Sequence, residues 1–258
     1  LFTKTNPVRT RRQYTPTLDL ENYGLSELDM ETEFHAGKEI GIGVAKLKEI
    51  LEHLNKTYCS SIGSEYMFIR KPDKTEWIQN KLESTQNRTT YSNDEKKQLF
   101  YYLIQAAGFE SFIHRKFTGQ KRFSLEGTEA LIPALHHLID QGASIGIEEF
   151  VIGMAHRGRL NVLGNILQKP YENIFNEFIA EEYEDTIALG DVKYHLGYDN
   201  TITSSDGKKV DVHLAPNPSH LEAVTPIIQG ISRAIINKKF KGDIDKVLPV
   251  VIHGDAAI

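Results

Sequence analysis

Apolar positions recur along the chain with two different periods. Ile40, Val44, Leu47, Leu51 and Leu54 fall three or four apart with charges between them, which predicts a first helix over 38–56. Asp73 with Glu76, before Trp77, Ile78 and Leu82, makes a capping-box pattern. Ser92 with Glu95, before Leu99, Phe100, Leu103 and Ile104, makes another. A fourth helix carries Leu131, Ile132, Leu135, Leu138 and Ile139 and closes near Gly142, with Pro133 early enough to bend it. Phe150, Val151 and Ile152 form a short β-branched run, as in a buried strand, and Leu160, Leu163, Gly164 and Leu167 return to helical spacing. Ile174, Phe175 and Phe178 predict a further helix. Thr201-Ile202-Thr203 and 210–214 flank Ser205-Asp206-Gly207, a hairpin pattern. Ser219, with Glu222 at the third helical position, opens a helix running to about Asn237. Val247, Leu248, Val250, Val251 and Ile252 suit the middle of a parallel sheet.

These elements predict three regions. Residues 1–35 are polar, with Pro7, Pro16, a basic knot at Arg9, Arg11 and Arg12, and then Glu27, Asp29, Glu31 and Glu33; they read as an extended linker segment. Residues 36–120 read as a small helical domain, and 121–258 as an incomplete α/β domain with a mostly parallel sheet. The sequence stops just after the strand-and-turn pattern VLPVVIHGDAAI, so it is expected to be cut through a domain. Leu1 at its start points to processing or a fragment.

Composition narrows the classes. The net charge of −5 gives no support for nucleic-acid binding. Cys59 is the single cysteine, which excludes an internal disulfide and favours a reducing compartment. That compartment makes the sequons at Asn55 and Asn87 chance matches. No run of about 18 apolar residues predicts a membrane span, and no signal-peptide pattern opens the chain.

The chemistry concentrates in polar turns. His156, Arg157 and Arg159 lie between a strand and a helix N-terminus, where unpartnered backbone N–H groups favour an anion. Cations are unfavourable there unless an anion is bound. In open α/β sheets ligands bind beyond the carboxyl ends of strands. If the strands ending at His156 and Asp255 are parallel neighbours, those turns and the one at Ser219 face one crevice. His195 lies in a loop, 190–197, without apolar period. The candidate set is therefore His156, Arg157, His195, Ser219, His220, His253 and Asp255. A carboxylate after a buried strand is a natural Mg²⁺ ligand, Arg157 suits a phosphate, and the histidines titrate near neutrality. No HxxxH or CxxC spacing supports zinc, and no GxSxG elbow supports a serine hydrolase. Gly41-Ile42-Gly43 lacks the strand and later glycine of a dinucleotide fingerprint, and Gly37-Lys38 lacks the rest of a phosphate-binding loop. His53 and His114 read as surface or satisfied core histidines.

The motifs MAHRGRLN, GDVKYHLG, NPSHLE and HGDAA, with KRFSLEG and SEYM, resemble those of the thiamine diphosphate-dependent component of 2-oxoglutarate dehydrogenase complexes, from about residue 36 onwards. The resemblance implies the thiamine diphosphate-binding α/β fold and oxidative decarboxylation of 2-oxoglutarate, a step of the tricarboxylic acid cycle. It implies thiamine diphosphate and Mg²⁺ as cofactors. It also implies succinyl transfer to the lipoyl group of dihydrolipoyl succinyltransferase, a homodimer, and a bacterial cytosolic or mitochondrial matrix location. Asp255 matches a metal ligand; Arg157, Ser219 and Leu221 match cofactor contacts. His156 and His195 match catalytic, substrate-side histidines, and Arg157 and Ser219 match further substrate contacts. The family's metal-binding asparagine and activating glutamate are not in this sequence, so residues 1–258 alone are expected not to turn over. The same chemistry on 2-oxoadipate and a non-catalytic docking subunit are the alternatives.

Overall fold

The computed structural model describes residues 16–183, 195–218 and 220–254. The chain divides into two compact units, Leu1–Tyr91 and Ser92–Ile258.

In the first unit, short 3-10 turns at Pro16–Leu18, Leu20–Tyr23 and Glu27–Asp29 precede strand β1 (Glu33–Phe34). The described part of the segment expected to lie extended is thus wound, and Ser26 and Asp29 close a reciprocal cap on the third turn. β1 pairs antiparallel with β2 (Ala45–Lys46), and helices α1 (Leu47–Tyr58) and α2 (Pro72–Ser84) follow. The first helix therefore starts at Leu47, not near 38. Gly41 and Gly43 both have φ +78°, a left-handed conformation that interrupts any helix before them. The cap expected from Asp73 does not form either; Lys71 occupies the cap position and Pro72 the first turn. Ile40, Ala45 and Ile50 make a small core with Phe34, Ile42 and Leu54 against it. His53 is a satisfied core histidine, its Nε2 2.9 Å from the Glu83 carbonyl oxygen.

The second unit is α/β. Helix α3 (Asn93–Lys116) begins at the expected Ser92–Glu95 capping box and runs well past Ile104. It packs on α4 (Leu131–Ser144) and α5 (Arg159–Asn165), so it belongs with the sheet and not with the helices before it. This division at Tyr91 precedes the boundary expected at 120. Strand β3 (Glu149–Met154) leads into α5, and α6 (Tyr171–Tyr183) follows. β4 (Tyr198–Thr203) and β5 (Lys209–Leu214) form the expected hairpin, α7 covers Val224–Lys238, and β6 covers Val247–Ile252.

The sheet order is β4-β5-β3-β6. β3 is parallel to both β5 and β6, while β4 is antiparallel to β5. The sheet is thus mixed but mostly parallel. Every residue of β3 is buried, as a central parallel strand covered on both faces requires. One face packs on α3 to α6 through Phe150, Ile152 and Met154. The other packs on α7 through Val151, Val224 and Ile228. Gly153 permits that approach, because a Cβ there would lie 2.7 Å from Ile228 Cγ2. Among the described residues, no helix is long and apolar enough to cross a membrane.

Candidate functional site

Parallel pairing places the carboxyl ends of β3, β5 and β6 along one edge of the sheet. Met154 pairs with Ile252, and Ile152 with Leu214. The segments 155–157, 215–218 and 253–254 therefore leave the sheet on the same side.

The stretch from His156 to Asn161 is legible atom by atom. His156 lies against Phe123, ring centroids 4.1 Å apart. Burial, then the charge of Arg157, then that of His195 holds its imidazole below the ordinary value, so it is neutral at pH 7. Arg157 is exposed, and its Nη1 donates to the Ser124 carbonyl at 3.1 Å. Gly158 is left-handed (φ +77°) and donates its N–H to the Phe123 carbonyl; a Cβ there would meet Leu125 Cδ1 at 2.5 Å. Asn161 is fully buried and donates to Glu110 Oε1 at 3.1 Å. Glu110 also accepts from the Leu125 N–H and pairs with Arg122 at 2.9 Å. The segment 122–125 is thereby fastened over His156. The KRFSLEG motif supplies Phe123 and the Ser124 carbonyl to this arrangement.

Arg159 departs from expectation. The sequence places it in a cationic turn suited to an anion, but its side chain is fully buried. Its guanidinium donates to the carbonyls of Met154, Leu196 and Ala215. A helix of only seven residues, with its adjacent cation facing inwards, is a weaker anion site than the pattern implied.

His195 is half-buried, near enough to His156 to disfavour its protonation, and its carbonyl accepts from the Asn217 N–H at 2.9 Å. His253 sits on the same edge, its Nε2 3.3 Å from Thr225 Oγ1. His220 and Leu221 are exposed in the turn before α7. That turn differs from expectation: α7 starts at Val224, because Glu222 has φ +64° and cannot be a helical third residue. Glu222 Oε1 is instead buried and without a hydrogen-bond partner among the described residues. Ser219 and Asp255 lie outside the described residues, and so do Lys193 and Tyr194 of the GDVKYHLG loop. Among the described residues, no group of three His, Cys, Asp or Glu side chains could hold a metal ion.

A mostly parallel sheet with an exposed arginine and three histidines beyond its carboxyl edge defines an α/β protein, and that edge is where sheets of this kind bind ligands. The sequence model of the dehydrogenase E1 component family matches residues 103–258, and the chain belongs to that family. It is 43% identical over 250 residues to a 2-oxoglutarate dehydrogenase E1 component from Cupriavidus necator, covering 96% of this chain and 26% of the relative. It is 42% identical over 265 residues to a mitochondrial 2-oxoglutarate dehydrogenase of Saccharomyces cerevisiae, covering 98% and 25%. A Brucella anthropi 2-oxoglutarate dehydrogenase E1 component is 41% identical over 251 residues, covering 93% and 25%. The chain spans about a quarter of the length of these relatives.

Proposed function

We propose that this chain forms one wall of the active centre of a 2-oxoglutarate dehydrogenase E1 component. The complete enzyme decarboxylates 2-oxoglutarate with thiamine diphosphate and Mg²⁺. It passes the succinyl group to the lipoyl group of dihydrolipoyl succinyltransferase, whose disulfide is reduced as the acyl–sulfur bond forms. The observation that carries this reading is the convergence of His156, Arg157 and His195 beyond the carboxyl edge of the sheet. Identity to relatives bearing that name, in bacteria and in a mitochondrion, supports the substrate and a cytosolic or matrix location.

The donor set at this edge fits the cofactor's anionic end. Arg157 offers an exposed planar guanidinium, anchored at one nitrogen, that matches a phosphate or carboxylate with paired donors. Thiamine diphosphate, when bound, supplies the electron sink for the pair released as carbon dioxide leaves. Arg157 grips an anionic oxygen of cofactor or substrate. His156 is neutral, so its unprotonated ring nitrogen takes and returns a proton at working pH. His195 faces the substrate's carboxylates, and both histidines act catalytically. By the family motifs, Ser219 and Leu221 would contact the cofactor, Ser219 would also contact substrate, and Asp255 would hold the Mg²⁺. The enzyme works as a homodimer.

The test is a side-by-side decarboxylation assay of the full-length protein on 2-oxoglutarate and 2-oxoadipate, with thiamine diphosphate and Mg²⁺. One methylene is worth about 1–3 kcal/mol, so a preference of at least about tenfold for 2-oxoglutarate is expected. Faster turnover of 2-oxoadipate would overturn the substrate, and no carbon dioxide release from either would overturn the activity.

A further inference from the structure

Arg159 is expensive for a residue that touches no solvent. Taking a guanidinium out of water costs several kcal/mol unless its donors are met. Here they are met by backbone carbonyls from three separate segments. Nη1 donates to Met154 at 3.1 Å, at the end of β3 and two residues before His156. Nε and Nη2 donate to Leu196 at 3.1 and 2.7 Å, the residue after His195. Nη2 also donates to Ala215 at 2.5 Å, just past β5. The next link closes the circle. Asn217, two residues beyond Ala215 and itself buried, donates its N–H to the His195 carbonyl. Both carbonyls flanking the His195–Leu196 step are thus held, one by Asn217 and one by Arg159. Gly197 completes the fit; a Cβ there would lie 2.8 Å from the Leu214 carbonyl oxygen.

We infer that Arg159 is a positioning residue: its guanidinium sets the backbone of His195 against that of His156, and it contacts no ligand. The inference rests on the proposed reading of His156 and His195 as substrate-side groups. Planar geometry explains why arginine is needed. Three carbonyls are served from one rigid fork, whereas a lysine ammonium reaches them as a single point on a flexible stem. Asn217 ties the 195–197 segment to 215–217, and Arg159 ties both to the end of β3; a displacement of about 1 Å between catalytic groups costs about 100-fold in rate.

A double-mutant cycle in the full-length enzyme tests this, with Arg159→Lys and His195→Ala measured singly and together, well below the melting temperature of each variant. Arg159→Lys is expected to lower kcat/KM about 10- to 100-fold. In the His195→Ala background it is expected to add less than about a twofold loss, because the group it positions is gone. Losses that multiply in full would overturn the inference and leave the proposed function standing. A His195→Ala enzyme with unchanged kcat/KM would overturn the role given to His195, and the inference with it. Should Arg159→Lys not fold, Gly197→Ala carries the same cycle, since it pushes the Leu196 segment off β5 while leaving the buried guanidinium in place. The same non-multiplying pattern is expected of it, and full multiplication would again be fatal.

Discussion

The sheet carries two polar clusters, and they are built on opposite plans. At the start of β3, Glu149 is buried and receives His213 Nε2 at 2.6 Å and the Lys239 ammonium. His213 Nδ1 meets Asp199 at 3.0 Å, Lys239 meets Asp211 at 3.0 Å, and Thr201 donates to Asp211 at 2.6 Å. Cations and carboxylates there answer one another, tying β3, β4, β5 and α7 together. At the carboxyl edge, Arg157 is exposed and donates to the Ser124 carbonyl, His156 lies against the Phe123 ring, and His253 meets the Thr225 hydroxyl. A network that balances its own charge has little left to offer a ligand. A cation held by a neutral carbonyl, as Arg157 is, keeps its field for one. Charge alone does not mark a site; what the charge is paired with does.

Three experiments press on this contrast. The largest effect is expected of Arg157→Ala. It should lower kcat/KM of the full-length enzyme about 100-fold or more, while the melting temperature moves little, because the side chain is exposed. A large loss of stability at unchanged activity would reverse the two plans. Glu149→Gln should do the opposite. It leaves Lys239 and His213 without their buried carboxylate and should cost about 2 kcal/mol in urea unfolding, below the full penalty for a broken buried pair because both partners are partly exposed. Activity per folded molecule should stay within about twofold.

The smallest effect is a pH dependence. Burial alone would lower the His213 value, but hydrogen bonds to Glu149 and Asp199 outweigh it and the imidazole is held above its ordinary value. A raised folded value means the stabilisation is complete below the unfolded value near 6.5 and fades as pH rises through the folded one. Comparing urea midpoints with His213→Asn, the native protein should hold an advantage of about 1 kcal/mol near pH 6 that shrinks by about pH 9. An advantage that grows with pH would break the account.

Much of this was readable in advance where local rules operate. Ser92 with Glu95 specified a helix start, and Ser205-Asp206-Gly207 a hairpin, since each depends on neighbours in sequence. Reading failed where two distant segments share a constraint. The helix expected from residue 38 yields to Gly41 and Gly43, whose left-handed turns let β2 return to β1. Glu222 was read as a cap and is turned inward, because the chain must bend before α7 can cover Gly153. Arg159 was read beside Arg157 as one cationic patch, and only packing separates them.

By itself, the order of residues determined most of the helices and strands of the α/β unit and the family to which the chain belongs. Backbone propensity, capping and apolar period act within a few positions of the chain, and the family motifs are contiguous. Tertiary structure alone decided which charges are buried in contacts and which reach solvent. Whether a guanidinium meets water, a carboxylate or three carbonyls depends on segments dozens of residues apart, and on the desolvation that their packing imposes.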